Sequence, residues 1–278
     1  MRYTWAIIAV MAAAAVAGTA RPAGASGGVF LLEDHNSIAS FNPYSPALQY
    51  GWVVDNENYL GEQGFWYRID GQGGGEKPIC QLSTAPYCRA FDTNGDKMDD
   101  FLRIRYTGAG LKVEVIYSLL GGSTGSGRAD LGETVRITNT GTAPTTVHFF
   151  QYADFNLTPY PHWDMLEIRG GNTASQTAGP YRLAETVDAP APSRVQAGVA
   201  ADILGQLMDE SPTTLTNFAG PLTDDVGWAF QWDFSLAPGE AFLISKDKGI
   251  VVPEPATLCL LGLGAVGIAA RRFRRSAK

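Results

Sequence analysis

The amino-acid sequence predicts an all-β protein, an antiparallel β-sandwich flanked by an N-terminal signal helix and a C-terminal short transmembrane helix. Apolar and polar residues alternate over several segments, which is typical of strands with one buried face. Sequences rich in Gly, Pro and Asn separate these segments, and such residues form tight turns. Hydrophobic residues make up 45% of the 278 residues. That content is ample for a packed core and excludes a wholly disordered chain.

The alternation is clearest in four segments, 111–119, 134–138, 147–157 and 228–236. The turn sequences around them are Gly121-Gly122, Asn139-Thr140-Gly141, Gly170-Gly171-Asn172 and Ala237-Pro238-Gly239. Residues 202–208 predict one short helix, and no longer segment has the helical period. Because no linker-like stretch divides the body, we predict a single large sandwich over residues 26–252. Residues 188–193 mark the best break if there are instead two subdomains.

The N-terminus has the layout of a secretory signal peptide. Arg2 supplies a positive charge, residues 5–17 form an apolar run, and Ala23-Gly24-Ala25 fits a small-x-small cleavage site. We therefore assign residues 1–25 to a signal peptide and expect an exported protein.

The C-terminus combines an apolar stretch with a basic end. Residues 256–270 are apolar, and as a helix they would span ~22 Å, less than the ~30 Å of a bilayer core. Arginines follow at once, including Arg271 and Arg272. Their long side chains can extend the span, and their charge favours the cytoplasmic side. The segment predicts an exported body tethered through its C-terminal end.

Pro253, Glu254 and Pro255 stand before this apolar stretch. The order Pro-Glu-Pro, short helix and basic cluster resembles the PEP-CTERM sorting signal of Gram-negative bacteria, over residues 253–278. The resemblance implies an exosortase-type processing enzyme as partner and transient insertion in the inner membrane. It also implies a final place at the cell surface or in the extracellular matrix, where exopolysaccharide is a candidate partner.

Two phrases in the body resemble bacterial immunoglobulin-like adhesin modules. Residues 134–147 resemble their strand–turn–strand, and Leu236-Ala237-Pro238-Gly239-Glu240 resembles the turn before their last strands. These motifs form turns, so the resemblance implies an immunoglobulin-like sandwich and says nothing of a ligand.

Charge excludes one class of partner. The whole chain has a formal charge of −7, and its two ends hold a disproportionate share of the basic residues, so the body is more acidic still. An exported domain of this charge repels phosphates, and we expect no nucleic-acid binding. Divalent cations suit it better.

The body contains two cysteines, Cys80 and Cys88. An even pair in an oxidising compartment predicts a disulfide, with two free thiols as the alternative.

An acidic loop at residues 92–100 has the spacing of a calcium site. The oxygen-bearing side chains are Asp92, Asn94, Asp96 and Asp100, and the backbone carbonyl of Met98 lies between the last two. Alternate residues of a tight loop can converge on one Ca²⁺. The loop resembles those of dockerins and integrin-type repeats, although Lys97 stands where they have Gly and Arg103 replaces the final bidentate acid. We expect a structural Ca²⁺ here; an acidic hairpin turn at Asn94-Gly95 is the alternative.

Aromatic and polar side chains offer a candidate glycan contact. His148, Tyr152 and Asp154 share one face of a predicted strand, and Trp163 follows soon after. Rings beside acids can stack on a sugar and hydrogen-bond to it. The alternative is a solvated face with a loop whose aromatic residues cover the sandwich edge.

Three functions compete at this point. The first is a structural or adhesive matrix protein without enzymatic activity, because no catalytic constellation stands out by its spacing. The second is a carbohydrate-binding module that uses the aromatic face. The third is a secreted polysaccharide hydrolase with paired carboxylates, a mechanism in which acidic residues far apart in sequence can act together.

Overall fold

The structure, a computed structural model, describes residues 28–158 and 163–252, and within them eighteen strands form two nine-stranded antiparallel sheets. The predicted signal peptide, residues 1–25, and the predicted sorting tail, residues 253–278, lie outside the described residues. Among the described residues, no helix has the length and apolarity needed to cross a membrane.

Sheet A contains the N-terminal strands and three later ones. Its strands are β1 (Phe30–Asp34), β2 (Ser37–Phe41), β3 (Gln49–Val54), β4 (Glu57–Asn58), β5 (Leu60–Ile69), β6 (Lys77–Pro78), β11 (Thr145–Phe155), β15 (Arg194–Val199) and β17 (Val226–Leu236). The order is β1-β2-β3-β5-β11-β17-β15, with β4 beside β3 and β6 beside β5.

Sheet B contains the remaining strands. They are β7 (Tyr87–Phe91), β8 (Phe101–Gly108), β9 (Leu111–Gly121), β10 (Arg128–Asn139), β12 (Asp164–Arg169), β13 (Thr173–Ala178), β14 (Tyr181–Ala189), β16 (Leu222–Asp224) and β18 (Ala241–Val251). The order is β16-β12-β13-β14-β18-β10-β9-β8-β7. The last strand, β18, therefore lies inside the sheet and pairs with both β10 and β14.

Alternation along the strands builds the core between the sheets, as predicted. Val113, Val115 and Tyr117 on β9 are fully buried, and Tyr117 packs across the interface against Phe41 of sheet A, with 4.5 Å between ring centroids. The predicted antiparallel β-sandwich is confirmed at this level. The immunoglobulin-like resemblance is supported only loosely: residues 134–147 do form strand, turn and strand, but the sandwich exceeds the seven to nine strands of an immunoglobulin domain.

A second apolar layer covers sheet A from outside. The predicted short helix, α1 (Ala200–Met208), packs Ile203 and Leu207 against Trp66 and Tyr152. Among the described residues no helix covers the opposite, outer face of sheet B, so that face is the open one. The outer face of sheet B is therefore the more accessible of the two to a ligand.

The core also holds an ion cluster, consisting of Glu133, Glu185, Lys246 and Lys248, all with side chains that are 0% exposed. Lys246 contacts both glutamates, and the Lys248 ammonium lies 2.9 Å from a Glu133 oxygen. Burial by itself would raise the pKa of Glu133, but the two lysine charges outweigh it and lower that pKa to about 2.

Side chains of sheet A also donate hydrogen bonds to this ion cluster. The Gln63 amide donates to Glu133 at 2.6 Å, and the Trp228 indole donates to Glu185 at 2.7 Å. Gln151 also donates to Glu185. The cluster therefore joins the two sheets through paired charges and hydrogen bonds, which is the condition under which buried charge is tolerated.

The predicted disulfide is not formed in the structure, and this prediction is corrected. Cys80 and Cys88 are free thiols, both packed against the core near Tyr106. Burial raises the pKa of the Cys88 thiol to about 11, so the protonated and unreactive form is favoured.

Candidate functional site

The register of sheet B places one line of side chains across the middle of its outer face. Phe101, Ser118, Gly132, Asp247 and Thr186 are successive partners on β8, β9, β10, β18 and β14. Three of these residues, Ser118, Gly132 and Thr186, have small side chains, which leaves room above the sheet surface here.

A pocket of about 420 Å³ occupies this recess. Its lining includes the ring of Phe101, the hydroxyls of Ser118, Thr134 and Ser245, and the carboxylates of Asp188 and Asp247. A ring wall with hydroxyls and carboxylates offers both apolar contact and hydrogen bonds, the combination that a sugar requires.

Gly132 keeps the floor of the pocket open. It lies between Ser118 and Asp247, and a Cβ built there would come no closer than 3.8 Å to another heavy atom. Packing therefore does not require glycine at this strand position. Glycine inside a strand often marks a place where a ligand approaches the backbone.

Asp247 lines the pocket, and Asp130, two residues before Gly132 on β10, lies beside it with its carboxyl group hydrogen-bonded to that of Asp247. Burial, the hydrogen bond and the charge of Asp247 together raise the pKa of Asp130 to about 7. Two carboxyls that share one proton can supply an acid and a base side by side near neutral pH. This pair of acids is 117 positions apart in sequence and comes together only because β10 pairs with β18.

The predicted calcium ligands form a hydrogen-bonded turn. The Asp92 carboxylate accepts from the backbone amides of Gly95 at 2.6 Å and Lys97 at 2.9 Å, and Asp96 accepts from the amide of Met98. The side chains of Asn94 and Asp100 bind within the same region, to Asp34 and to Thr93 respectively.

Among the described residues, no group of three or more His, Cys, Asp or Glu side chains is arranged to hold a metal ion. Calcium at this loop stays a prediction, and it requires the carboxylates to turn from the amides toward a common ion. The measurement is the unfolding temperature with and without millimolar Ca²⁺. A rise that the Asp96→Ala variant lacks would support the site, and no rise would remove it.

The predicted glycan-contact residues do not share one open surface. His148, Tyr152 and Asp154 do lie on one face of β11, but Tyr152 is buried beneath α1 and its hydroxyl donates to the Ala200 carbonyl at 3.1 Å. His148 bridges two carboxylates, Asp233 at 2.7 Å and Asp70 at 2.9 Å. Trp163 is exposed immediately before β12. Tyr152 is thus not available to a sugar in the folded protein.

Asp154 lies among acids, and its environment has a measurable consequence. Burial, with the nearby charges of Asp225, Glu62 and Asp164, raises the pKa of Asp154 to about 7. The folded pKa exceeds the unfolded value, so this contribution to stability is full below about pH 4 and is lost as the pH rises through about 7. We expect Asp154→Asn to weaken the fall in unfolding temperature between pH 5 and 8 by a few degrees. Parallel melting curves of the two proteins would contradict this.

The predicted sorting residues Pro253, Glu254, Pro255, Arg271 and Arg272 lie outside the described residues. Comparison with known families finds the PEP-CTERM protein-sorting motif at residues 251–275. This confirms the sorting signal, which implies an exported protein that is anchored in the membrane during sorting and processed by an exosortase. No curated protein matches the sequence.

Solved structures similar to this chain include carbohydrate-active enzymes. A bacterial glucoamylase complexed with acarbose matches with a TM-score of 0.54 at 9% identity, over 85% of this chain and 34% of that chain. A galactose 1-epimerase from Lactobacillus acidophilus matches with a TM-score of 0.50 at 12% identity, over 78% and 92%. A galactose mutarotase related enzyme from the same species matches with a TM-score of 0.50 at 9% identity, over 82% and 98%.

At this identity the likeness shows a shared fold, and this chain spans about a third of the glucoamylase. The prediction that the protein is not an enzyme is contradicted by these likenesses. It rested on the lack of a catalytic spacing along the sequence, whereas the fold is one that carbohydrate-active enzymes use.

Proposed function

We propose that this exported protein binds a saccharide in the pocket on the outer face of sheet B and catalyses proton transfer at its reducing end. The Asp130–Asp247 pair is the observation that carries the proposal. The shared fold with a galactose 1-epimerase supports it, as does the ring-and-hydroxyl lining of the pocket. The sorting signal supports a place at the cell surface, where polysaccharide is available.

The reaction that suits this pair is the opening and closing of an aldose ring. Ring opening needs a proton delivered to the ring oxygen and a proton removed from the anomeric hydroxyl, and closure on the other face gives the second anomer. Protonated Asp130 can deliver the first proton while Asp247 accepts the second, so the pair ends with one proton, as it began. Glycosidases hold their carboxyls ~5–5.5 Å or ~6.5–9.5 Å apart, and a hydrogen-bonded pair is closer. The geometry therefore favours epimerisation over hydrolysis.

The pH dependence of this activity follows from Asp130. Because its pKa is about 7, the protonated acid is present below neutrality and is lost above it. We expect kcat/KM to fall as the pH rises through about 7, with the proton-donating limb absent from an Asp130→Asn variant. A rate that stays constant from pH 6 to 9 would exclude Asp130 as the acid.

A substitution that fills the pocket tests the site as a whole. Gly132→Val places a side chain where only open space exists, at a strand position that tolerates it. We expect the fold to persist and both saccharide binding and mutarotation, followed by calorimetry and polarimetry on a panel of reducing sugars, to fall at least about tenfold.

Thr107→Val is the matched control, since Thr107 is exposed on β8 outside the pocket lining. Binding without any mutarotation would reduce the proposal to a carbohydrate-binding role. Activity that survives Gly132→Val in a folded protein would place the site elsewhere.

A further inference from the structure

Basic side chains gather on the outer face of sheet B beside the pocket. One row of outward side chains away from the row that contains Phe101, Ser118 and Gly132, strand pairing aligns Arg89 on β7 with Arg103 on β8. Ile116 and Thr134 continue this row on β9 and β10. The next row of outward side chains contains Arg105, Glu114 and Arg136, on β8, β9 and β10. We call Arg89, Arg103, Arg105 and Arg136 the arginine cluster.

This cluster carries excess positive charge in an otherwise acidic body. Among the described residues, Glu114 is the only carboxylate that forms an ion pair with it, through Arg103 at 2.8 Å and Arg105 at 3.0 Å. Burial would raise the pKa of Glu114, but the two arginines outweigh it and lower that pKa. Glu114 is therefore an anion, and it balances one of the four positive charges.

Neighbouring side chains hold the guanidinium groups of Arg89, Arg103 and Arg105 in place. The side chains of Arg103 and Arg105 are 40% and 37% exposed. Arg89 lies over the ring of Phe91 at 4.7 Å, and Arg105 lies over the ring of Tyr87 at 5.2 Å. Stacking and ion pairing fix the guanidinium planes, which reduces the entropy lost when an anion binds.

One donor in the cluster has no acceptor within the part of the chain that the structure describes. Nε of Arg103 is shielded from solvent and makes no hydrogen bond. A buried donor without a partner is costly, and such groups commonly bind a ligand or an ordered water. The carboxylate of a ligand is an acceptor that a guanidinium can bind in a bidentate manner.

We propose that the saccharide of this pocket is acidic, and that the arginine cluster binds its carboxylate or sulfate groups. This inference rests on the proposed function, whose substrate it specifies. Arg103 and Gly132 are separated by two strand spacings across the sheet and by two residues along the strands, which is on the order of 12 Å. The reducing-end sugar lies over the Asp130–Asp247 pair, and an anionic sugar unit further along the oligosaccharide reaches the arginine cluster.

The test compares acidic oligosaccharides with neutral counterparts of the same linkage. Probes are short oligogalacturonate, oligomannuronate and hyaluronan, each beside its carboxyl-reduced form, in which every carboxylate becomes a hydroxymethyl group. Isothermal titration calorimetry on the purified protein measures affinity, and polarimetry measures mutarotation. We expect at least one acidic probe to bind ten times more tightly than its reduced form, with an advantage that shrinks as salt is added.

The Arg89→Gln, Arg103→Gln double variant is expected to lose that tenfold advantage and to bind the neutral form unchanged. Arg169→Gln is the matched control, because Arg169 is an exposed arginine on β12 at the far side of the same sheet. Equal affinity for acidic and neutral forms, with mutarotation present, would overturn this inference alone. Binding of no probe and no mutarotation of any sugar would overturn the proposed function with it.

Discussion

Asp247→Asn is expected to lower the rate of mutarotation by about 10²- to 10⁴-fold, the usual contribution of a positioned acid or base. The substitution removes the group that accepts the anomeric proton and leaves the shape of the pocket nearly unchanged. Saccharide affinity should therefore change by only a few-fold, and the loss should appear in kcat. Steady-state polarimetry together with calorimetric binding separates the two quantities.

Asp188→Asn is the matched control for this variant. Asp188 also lines the pocket, but it accepts a hydrogen bond from the hydroxyl of Ser245 at 3.4 Å rather than pairing with a second carboxyl. We expect it to retain most of the rate. If Asp188→Asn and Asp247→Asn lose the same small factor, the Asp130–Asp247 pair is not the catalytic pair.

Lys248→Met is expected to reduce the free energy of unfolding by about 3–5 kcal/mol, because it leaves the charge of Glu133 buried with one lysine fewer. The Lys248 side chain is 0% exposed, so water cannot replace it. Chemical denaturation measures the loss. Lys112→Met, on the more accessible face of β9, should change stability by no more than about 0.5 kcal/mol.

The same ion cluster sets the response to acid. The pKa of Glu133 in the folded state, about 2, is below its ordinary value of 4.5. Its contribution to stability is therefore present above about pH 4.5 and is lost as the pH falls toward 2. The double variant Glu133→Leu, Lys248→Met should be less destabilised than the sum of its single changes, since it removes both charges. Simple additivity would argue against a coupled pair.

The fold could be predicted from local patterns because its core obeys them. Trp228, Phe230 and Trp232 alternate with smaller or polar residues in the sequence, and all three are buried side chains of β17. The helix was also predicted, over residues 202–208, and the structure has it at Ala200–Met208. Its packing was not, because nothing in a strand pattern tells which face a distant helix will cover. For that reason the shared face of His148 and Tyr152 could be predicted, but the burial of Tyr152 could not.

The candidate site escaped prediction because it depends on pairing between distant strands. Asp130 and Asp247 look like ordinary solvated acids at outward positions of two separate strands. The one local signal was Gly132, a glycine inside a strand pattern that packing does not require. The calcium loop, by contrast, was conspicuous because all of its residues are close in sequence. Glu133 and Lys248 occupy inward positions where alternation predicts apolar side chains. Their charges neutralise each other, but the two residues are far apart in the sequence, so this pairing could not be predicted either.

The position of β18 gives this protein a defined route for mechanical load. The strand is hydrogen-bonded on both sides and ends at Val251, the first residue of the matched sorting motif. It also carries Ser245 and Asp247 of the pocket. If the membrane holds the C-terminus while the pocket binds a polymer, tension would act along this one strand. It would load many hydrogen bonds in shear at once, instead of opening them one by one. We expect single-molecule pulling from the C-terminus to require a higher rupture force than pulling across β7, an edge strand of the same sheet.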